Sequence, residues 1–150
     1  MKKTLIAASF LALAISSASA LEVGVQIGRD FAGDNRNYGG VTVGQSIGTM
    51  TVSAGYQRTA VGDNNQNRWS LVGGYDLLNV RSVRVTPTVG VAYLNNQKAN
   101  NGLAVTVGAE ASVTLAKNLE GVVDYTYQMG QSKVKQYDGS RVGAGVRFNF

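Results

Sequence analysis

Apolar and polar residues alternate with a period of two along most of the chain. Leu21, Val23, Val25 and Ile27 alternate with Glu22, Gly24, Gln26 and Gly28 near the start. Val142, Ala144, Val146, Phe148 and Phe150 alternate with Arg141, Gly143, Gly145, Arg147 and Asn149 at the end. Between them, similar runs centre on 40–44, 50–57, 69–77, 83–93, 103–115 and 119–129. Period two places successive side chains on opposite faces of a strand, so the pattern predicts eight strands. Most of the runs are about nine to thirteen residues long, where globular strands usually have five or six and a tilted membrane strand about 9–11. The connections alternate as well. Long polar ones fall at Asp30–Arg36, Thr59–Gln66, Asn95–Asn101 and Gln131–Asp138, and short ones near Ser46-Ile47-Gly48, Leu78-Asn79-Val80 and Ala116-Lys117-Asn118. That rhythm is an up-and-down meander with one long-loop rim and one short-turn rim. No segment has a helical period, and no linker or second domain interrupts the meander.

A closed barrel can face water or lipid, and the choice depends on which face is apolar. A soluble barrel turns its apolar face inward around a ligand; a membrane barrel turns it outward. Here the apolar face carries Tyr56, Trp69, Tyr93, Tyr125 and Tyr127 toward the long loops, and Tyr75, Phe148 and Phe150 toward the short turns. Eight strands leave an interior just wide enough for side chains, which these aromatics would crowd. As two belts flanking a valine band they match a membrane interface. The predicted fold is therefore an all-β, eight-stranded antiparallel up-and-down transmembrane β-barrel. The soluble barrel binding a small apolar ligand is kept as an alternative. Pro87 falls mid-strand on the lipid face and cannot donate to a ladder, so a bulge or distorted pairing is expected there.

Composition sharpens this picture. The chain has 19 glycines among 150 residues, all after Ala20, and most fall on the inward face, where they admit tight curvature and close neighbours. Met1-Lys2-Lys3, an apolar stretch from Leu5 to Ile15 and the Ala18-Ser19-Ala20 site form a secretory leader. The expected domains are thus a cleaved leader over 1–20, exported through the inner membrane, and a barrel over 21–150. The net charge of +5 falls to +3 without Lys2 and Lys3. With neither cysteine nor histidine, disulfides, thiolate catalysis and the commonest general base are excluded.

The C-terminal Val142, Ala144, Val146, Phe148 and Phe150 resemble the terminal signal of bacterial outer-membrane proteins. Such a signal is read by the barrel assembly machinery. With the leader and eight strands, the chain resembles the small outer-membrane barrels of the opacity-protein and OmpX-like porin superfamily. The resemblance implies a cell outer-membrane location and outer-membrane lipid and lipopolysaccharide as partners. It also implies a non-enzymatic structural or surface role, in envelope integrity, adhesion or host contact. Lipid-modifying barrels of this size lean on histidine, which this chain lacks.

Parity places Glu22, Arg84, Glu110, Glu120, Asp124, Arg141 and Arg147 inside the barrel. Buried charges cost several kcal/mol unless paired. Arg84 and Arg147 are therefore expected to pair with Glu110, Asp124 or Glu22. The network acts either as a structural plug or as the constriction of a narrow passive pore. The long-loop rim carries Arg29, Arg36, Arg58, Arg68, Lys98, Lys133, Lys135 and Arg141 against Asp30, Asp34, Asp63 and Asp138, a net charge of +4. Of these, Lys98, Lys133 and Lys135 are the loop bases expected to meet lipopolysaccharide phosphates. The charge is too modest and dispersed for nucleic acid. No cofactor, metal or catalytic residue is expected, and the barrel is expected to be a monomer.

Overall fold

The computed structural model describes residues 20–32, 35–61, 64–96 and 101–150. Its strands are β1 (Ala20–Asp30), β2 (Arg36–Ile47), β3 (Met50–Val61), β4 (Asn64–Tyr75), β5 (Leu78–Val80), β6 (Val83–Asn96), β7 (Gly102–Ala116), β8 (Leu119–Gly130) and β9 (Gly139–Asn149). A short 3-10 helix, Ser132–Tyr137, lies between β8 and β9. All pairings are antiparallel between neighbours, and β1 pairs with β9 to close the sheet. The short β5 continues the wall of β4, since both pair with β6. The barrel therefore has eight walls. The leader expected over 1–20 lies, apart from Ala20, outside the described residues.

One inward row of paired residues shows the stagger. From Asn149 it passes through Glu22, Gly44, Ser53, Val72, Gly90, Thr106 and Gln128, and returns to β9 at Gly139. The row has climbed about ten residues along one strand, which sets a strand tilt of about 40°.

The barrel is inside-out relative to a soluble protein. Ile27 is 73% exposed, Leu77 70% and Phe150 75%, whereas the buried polar residues include Glu22, Gln57, Thr106 and Arg141. Val25, Val41, Val89, Val91, Val107 and Val123 form the exposed band between the rims. Trp69, Tyr75, Tyr93, Tyr125 and Tyr127 are exposed with them. Tyr56, Trp69 and Tyr93 are successive partners on β3, β4 and β6, and the first two rings pack at a tilt of 49° with centroids 4.6 Å apart. This outward band overturns the soluble alternative, whose apolar face would line a ligand cavity. Closure into a cylinder leaves no unpaired sheet edge, as hydrocarbon surroundings require.

The short-turn rim differs in detail from expectation. The segment Leu78-Asn79-Val80 is strand, and the reversal is the two-residue turn Arg81-Ser82. Gly48-Thr49 and Lys117-Asn118 are its counterparts. Arg81 has a φ of 56°, a left-handed value that glycine adopts more easily. The long loops are also shorter than their polar composition suggested. β3 and β4 pair from Met50–Tyr75 out to Val61–Asn64, and β6 runs to Asn96. Asparagine, glutamine and threonine there continue the ladder instead of leaving it.

The irregularity expected at Pro87 lies on one side only. β6 pairs with β7 without interruption, Pro87 opposite Ala109. On the other side Gly74 faces Thr88 while Leu78 faces Val85, so three residues oppose two. This bulge sits where the proline lacks a donor, and beyond Asp76 it shifts the alternation so that Leu78 faces outward.

Candidate functional site

The lumen holds two layers of charge and a cap. The charged side chains of the layer nearer the short turns come from six walls. Arg84 Nη2 is 2.8 Å from Glu120 Oε2, and Nη1 lies 3.7 Å from Asp76 and 3.9 Å from Glu22. Arg147 Nη2 donates to both oxygens of Glu110 at 2.6 Å. Its Nε lies 3.4 Å from Glu22 and its Nη1 3.7 Å from Glu120. Ser46 Oγ donates to Glu22 at 2.5 Å and Thr86 Oγ1 to Asp76 at 2.6 Å. The two arginines are thus bridged by shared carboxylates, and the layer holds more acid than base. Of the predicted interior set, Glu22, Arg84, Glu110, Glu120 and Arg147 come together. Asp124 makes none of these ion pairs among the described residues. Asp76 joins instead, on the inward parity of Gly74.

The second layer, nearer the long loops, is basic. Arg68 and Arg141, 7% and 2% exposed, both donate through Nη1 to one oxygen, Gln57 Oε1, at 2.6 and 2.7 Å. The two guanidinium nitrogens therefore lie within about 5 Å of each other. Two like charges at that separation repel by about 3 kcal/mol at an effective dielectric of about 20. Arg141 has compensation: Asp30 Oδ2 is 3.2 Å from its Nε, and the Tyr38 ring lies 4.2 Å beneath its guanidinium. The ring has room because Gly28 and Gly143 are beneath it. A Cβ on Gly28 would overlap the Tyr38 ring, and one on Gly143 would meet Tyr38 Oη and Asp124 Oδ1. Arg68, Arg141 and Asp30 were expected on the solvated rim, Arg141 inside as well; all three are buried in the lumen. Extending the alternation of β4 below Ser70 identifies Arg68, because 66, 68 and 70 share a face. Polar flanking composition concealed that.

Between the layers is a cavity of about 80 Å³, lined by Tyr38, Gln57, Arg68 and Arg141 on one side and Glu22, Glu110, Asp124 and Arg147 on the other. That is room for a few waters.

Above the basic layer the mouth is capped. The 3-10 helix folds Val134 inward, fully buried against Leu94 and Ala104, with Tyr137 packed beside them. Asn96 Nδ2 donates to Tyr137 Oη at 2.9 Å and Gln128 Nε2 to the Tyr137 carbonyl at 3.0 Å. The backbone N–H of Gly130 donates to Asp138. No sequence signal marked this cap, because Val134 is a lone apolar residue among polar neighbours.

The predicted rim bases separate. Lys98 lies outside the described residues, and Lys135 is exposed. Lys133 belongs to the 3-10 helix. Arg29 and Arg58 are exposed on the outward face. Arg58 stands two residues beyond Tyr56, and the Arg29 guanidinium lies 5.9 Å from the Phe31 ring. Val142, Ala144 and Phe148 are exposed on β9, with Phe150 following it and Val146 half-buried.

No family model matches the chain, and no curated protein matches it. Solved structures do. The crystal structure of Neisserial surface protein A is 14% identical, with a TM-score of 0.67 over 89% of this chain and 98% of that one. Ail, the attachment invasion locus protein of Yersinia pestis, is 14% identical, with a TM-score of 0.56 over 88% and 97%. A de novo designed transmembrane β-barrel is 16% identical, with a TM-score of 0.59 over 90% and 98%. The fold is that of the small outer-membrane barrels. A designed sequence shares it, so the outer-membrane barrel fold resides in the alternation, stagger and closure rather than in any particular motif.

Proposed function

We propose that this protein is a closed outer-membrane barrel whose work is done at its surface, without enzymatic activity and without a conducting lumen. One observation carries the reading: ion-paired side chains fill the lumen near the short turns, Val134 packs into it near the long loops, and the cavity between measures about 80 Å³. With short turns toward the periplasm and long loops outside, the acidic layer faces the periplasm and the capped mouth faces out. The location, the leader expected over 1–20, insertion by the barrel assembly machinery through the Phe150 signal, and a monomeric state belong to the same proposal.

The surface ligand we favour is the phosphate of outer-leaflet lipopolysaccharide. Arg29 and Arg58 support it more directly than the loop lysines do. Both face lipid just above the Tyr56–Trp69 pair, at the depth where headgroup phosphates lie. Ail has been crystallised with the heparin analogue sucrose octasulfate, a polyanion, which supports an anionic partner for this fold.

Planar-bilayer recording of the folded protein tests the closed lumen, with only rare, small openings expected. Steady conductance would favour the narrow passive pore and sink the reading. Flotation with vesicles containing lipopolysaccharide, against phosphatidylcholine vesicles alone, tests the ligand. Arg29→Gln with Arg58→Gln is expected to remove most of the difference; an unchanged difference would exclude this arginine pair.

A further inference from the structure

The basic layer contains a buried cation without a direct ion pair among the described residues. Arg68 is buried and makes no ion pair within 4 Å among the described residues; its one acceptor, Gln57 Oε1, is neutral and shared with Arg141. Arg68 Nε and, two residues away on the same face of β4, Gln66 Nε2 are buried without a hydrogen-bond partner. Asp30 serves Arg141, and the acidic layer is engaged with Arg84 and Arg147. A buried guanidinium left in this state costs several kcal/mol, and removal of the mismatch requires a negative charge beside it.

We propose that the cavity between the two layers is a binding site for one small monovalent anion of the size of chloride, held by Arg68 and Arg141. Three features define the ligand. Its charge is negative because two guanidinium groups converge there with a single neutral acceptor between them. It is small because the cavity has room for only a few water-sized species. It is monovalent because only Arg68 lacks a partner and Glu22, Glu110 and Asp124 line the far side of the same cavity. The acidic layer repels a second anion. The bound ion fills a structural site, and the proposal stands whether or not the rim binds lipopolysaccharide.

The test is to refold the full chain from urea into detergent micelles with sodium bromide as the only salt. Crystals of that protein are then measured at the bromine absorption edge. A single anomalous peak is expected within hydrogen-bonding distance of Arg68 and Arg141, absent from Arg68→Gln prepared the same way. At constant ionic strength, the urea midpoint of the wild type is expected to be higher in chloride than in gluconate. Arg68→Gln should lose that difference. Asp124 lines the cavity without an ion pair of its own among the described residues and is a candidate counter-charge through water, so Asp124→Asn is included. If Asp124 performs that role, the wild type shows no peak and Asp124→Asn gains one, which overturns the proposal. A wild-type map without the peak overturns it in any case, as does a peak that survives in Arg68→Gln.

Discussion

The two ends of the lumen are closed by different means. Near the short turns, Arg84 and Arg147 are locked among Glu22, Asp76, Glu110 and Glu120, side chains carried by strands whose register fixes where each one points. Near the long loops, closure depends on Val134, which a connecting segment folds back onto Leu94 and Ala104. The first is electrostatic and rests on pairing between strands distant in sequence. The second is a small apolar contact with three hydrogen bonds beside it. The comparison teaches that one lumen has a rigid end and an end that can open locally, since local opening follows contact density and burial.

Breaking the rigid end should have the largest effect. Arg147→Met leaves Glu110 and Glu22 with less counter-charge in a nearly dry interior, and is expected to lower stability by about 3–5 kcal/mol. Urea unfolding in micelles measures this. Adding Glu110→Gln should recover a substantial part; if the double variant is no better than the single, charge imbalance is not the cause. Breaking the soft end should cost less. Val134→Ala is expected to lower stability by roughly 1–2 kcal/mol. Amide exchange should accelerate around 132–137 and the ends of β6 and β7, leaving β9 near Arg147 protected. Uniform acceleration around the barrel would mean that the two ends are not independent.

Two smaller effects test the strand frame beneath both closures. Pro87→Ala is expected to change stability by less than about 1 kcal/mol, because the bulge opposite already does without that donor. A larger loss would mean that the proline itself holds Asp76 toward Arg84. Arg81→Gly removes left-handed strain at an exposed turn and should raise the unfolding midpoint by the equivalent of a few tenths to about 1 kcal/mol. A lower midpoint would show that the Arg81 side chain contributes more than the strain costs.

The alternation of Val23 with Gly24, or of Phe148 with Arg147, was enough to determine eight strands, their inward and outward faces and the outward aromatics, because strand geometry has a period of two regardless of context. The same parity placed Arg84, Arg147, Glu22, Glu110 and Glu120 on one inner surface. It could not say which of them meet. Pairing depends on the stagger of about ten residues around the barrel, a property of closure that no single strand contains. That stagger leaves Asp124 outside the network of ion pairs among the described residues. Composition misled where polar residues continue a ladder: Thr59, Gln66 and Arg68 read as loop, yet their backbones pair and their side chains turn inward. Asp76 follows Gly74 on the inward face ahead of the slip opposite Pro87, and Val134 reached the mouth through a chain reversal. The sequence by itself determined the barrel and its two faces, since those follow from local periodicity. Only the tertiary structure decided how the lumen is closed, because that is set by contacts between walls that meet only when the cylinder is complete.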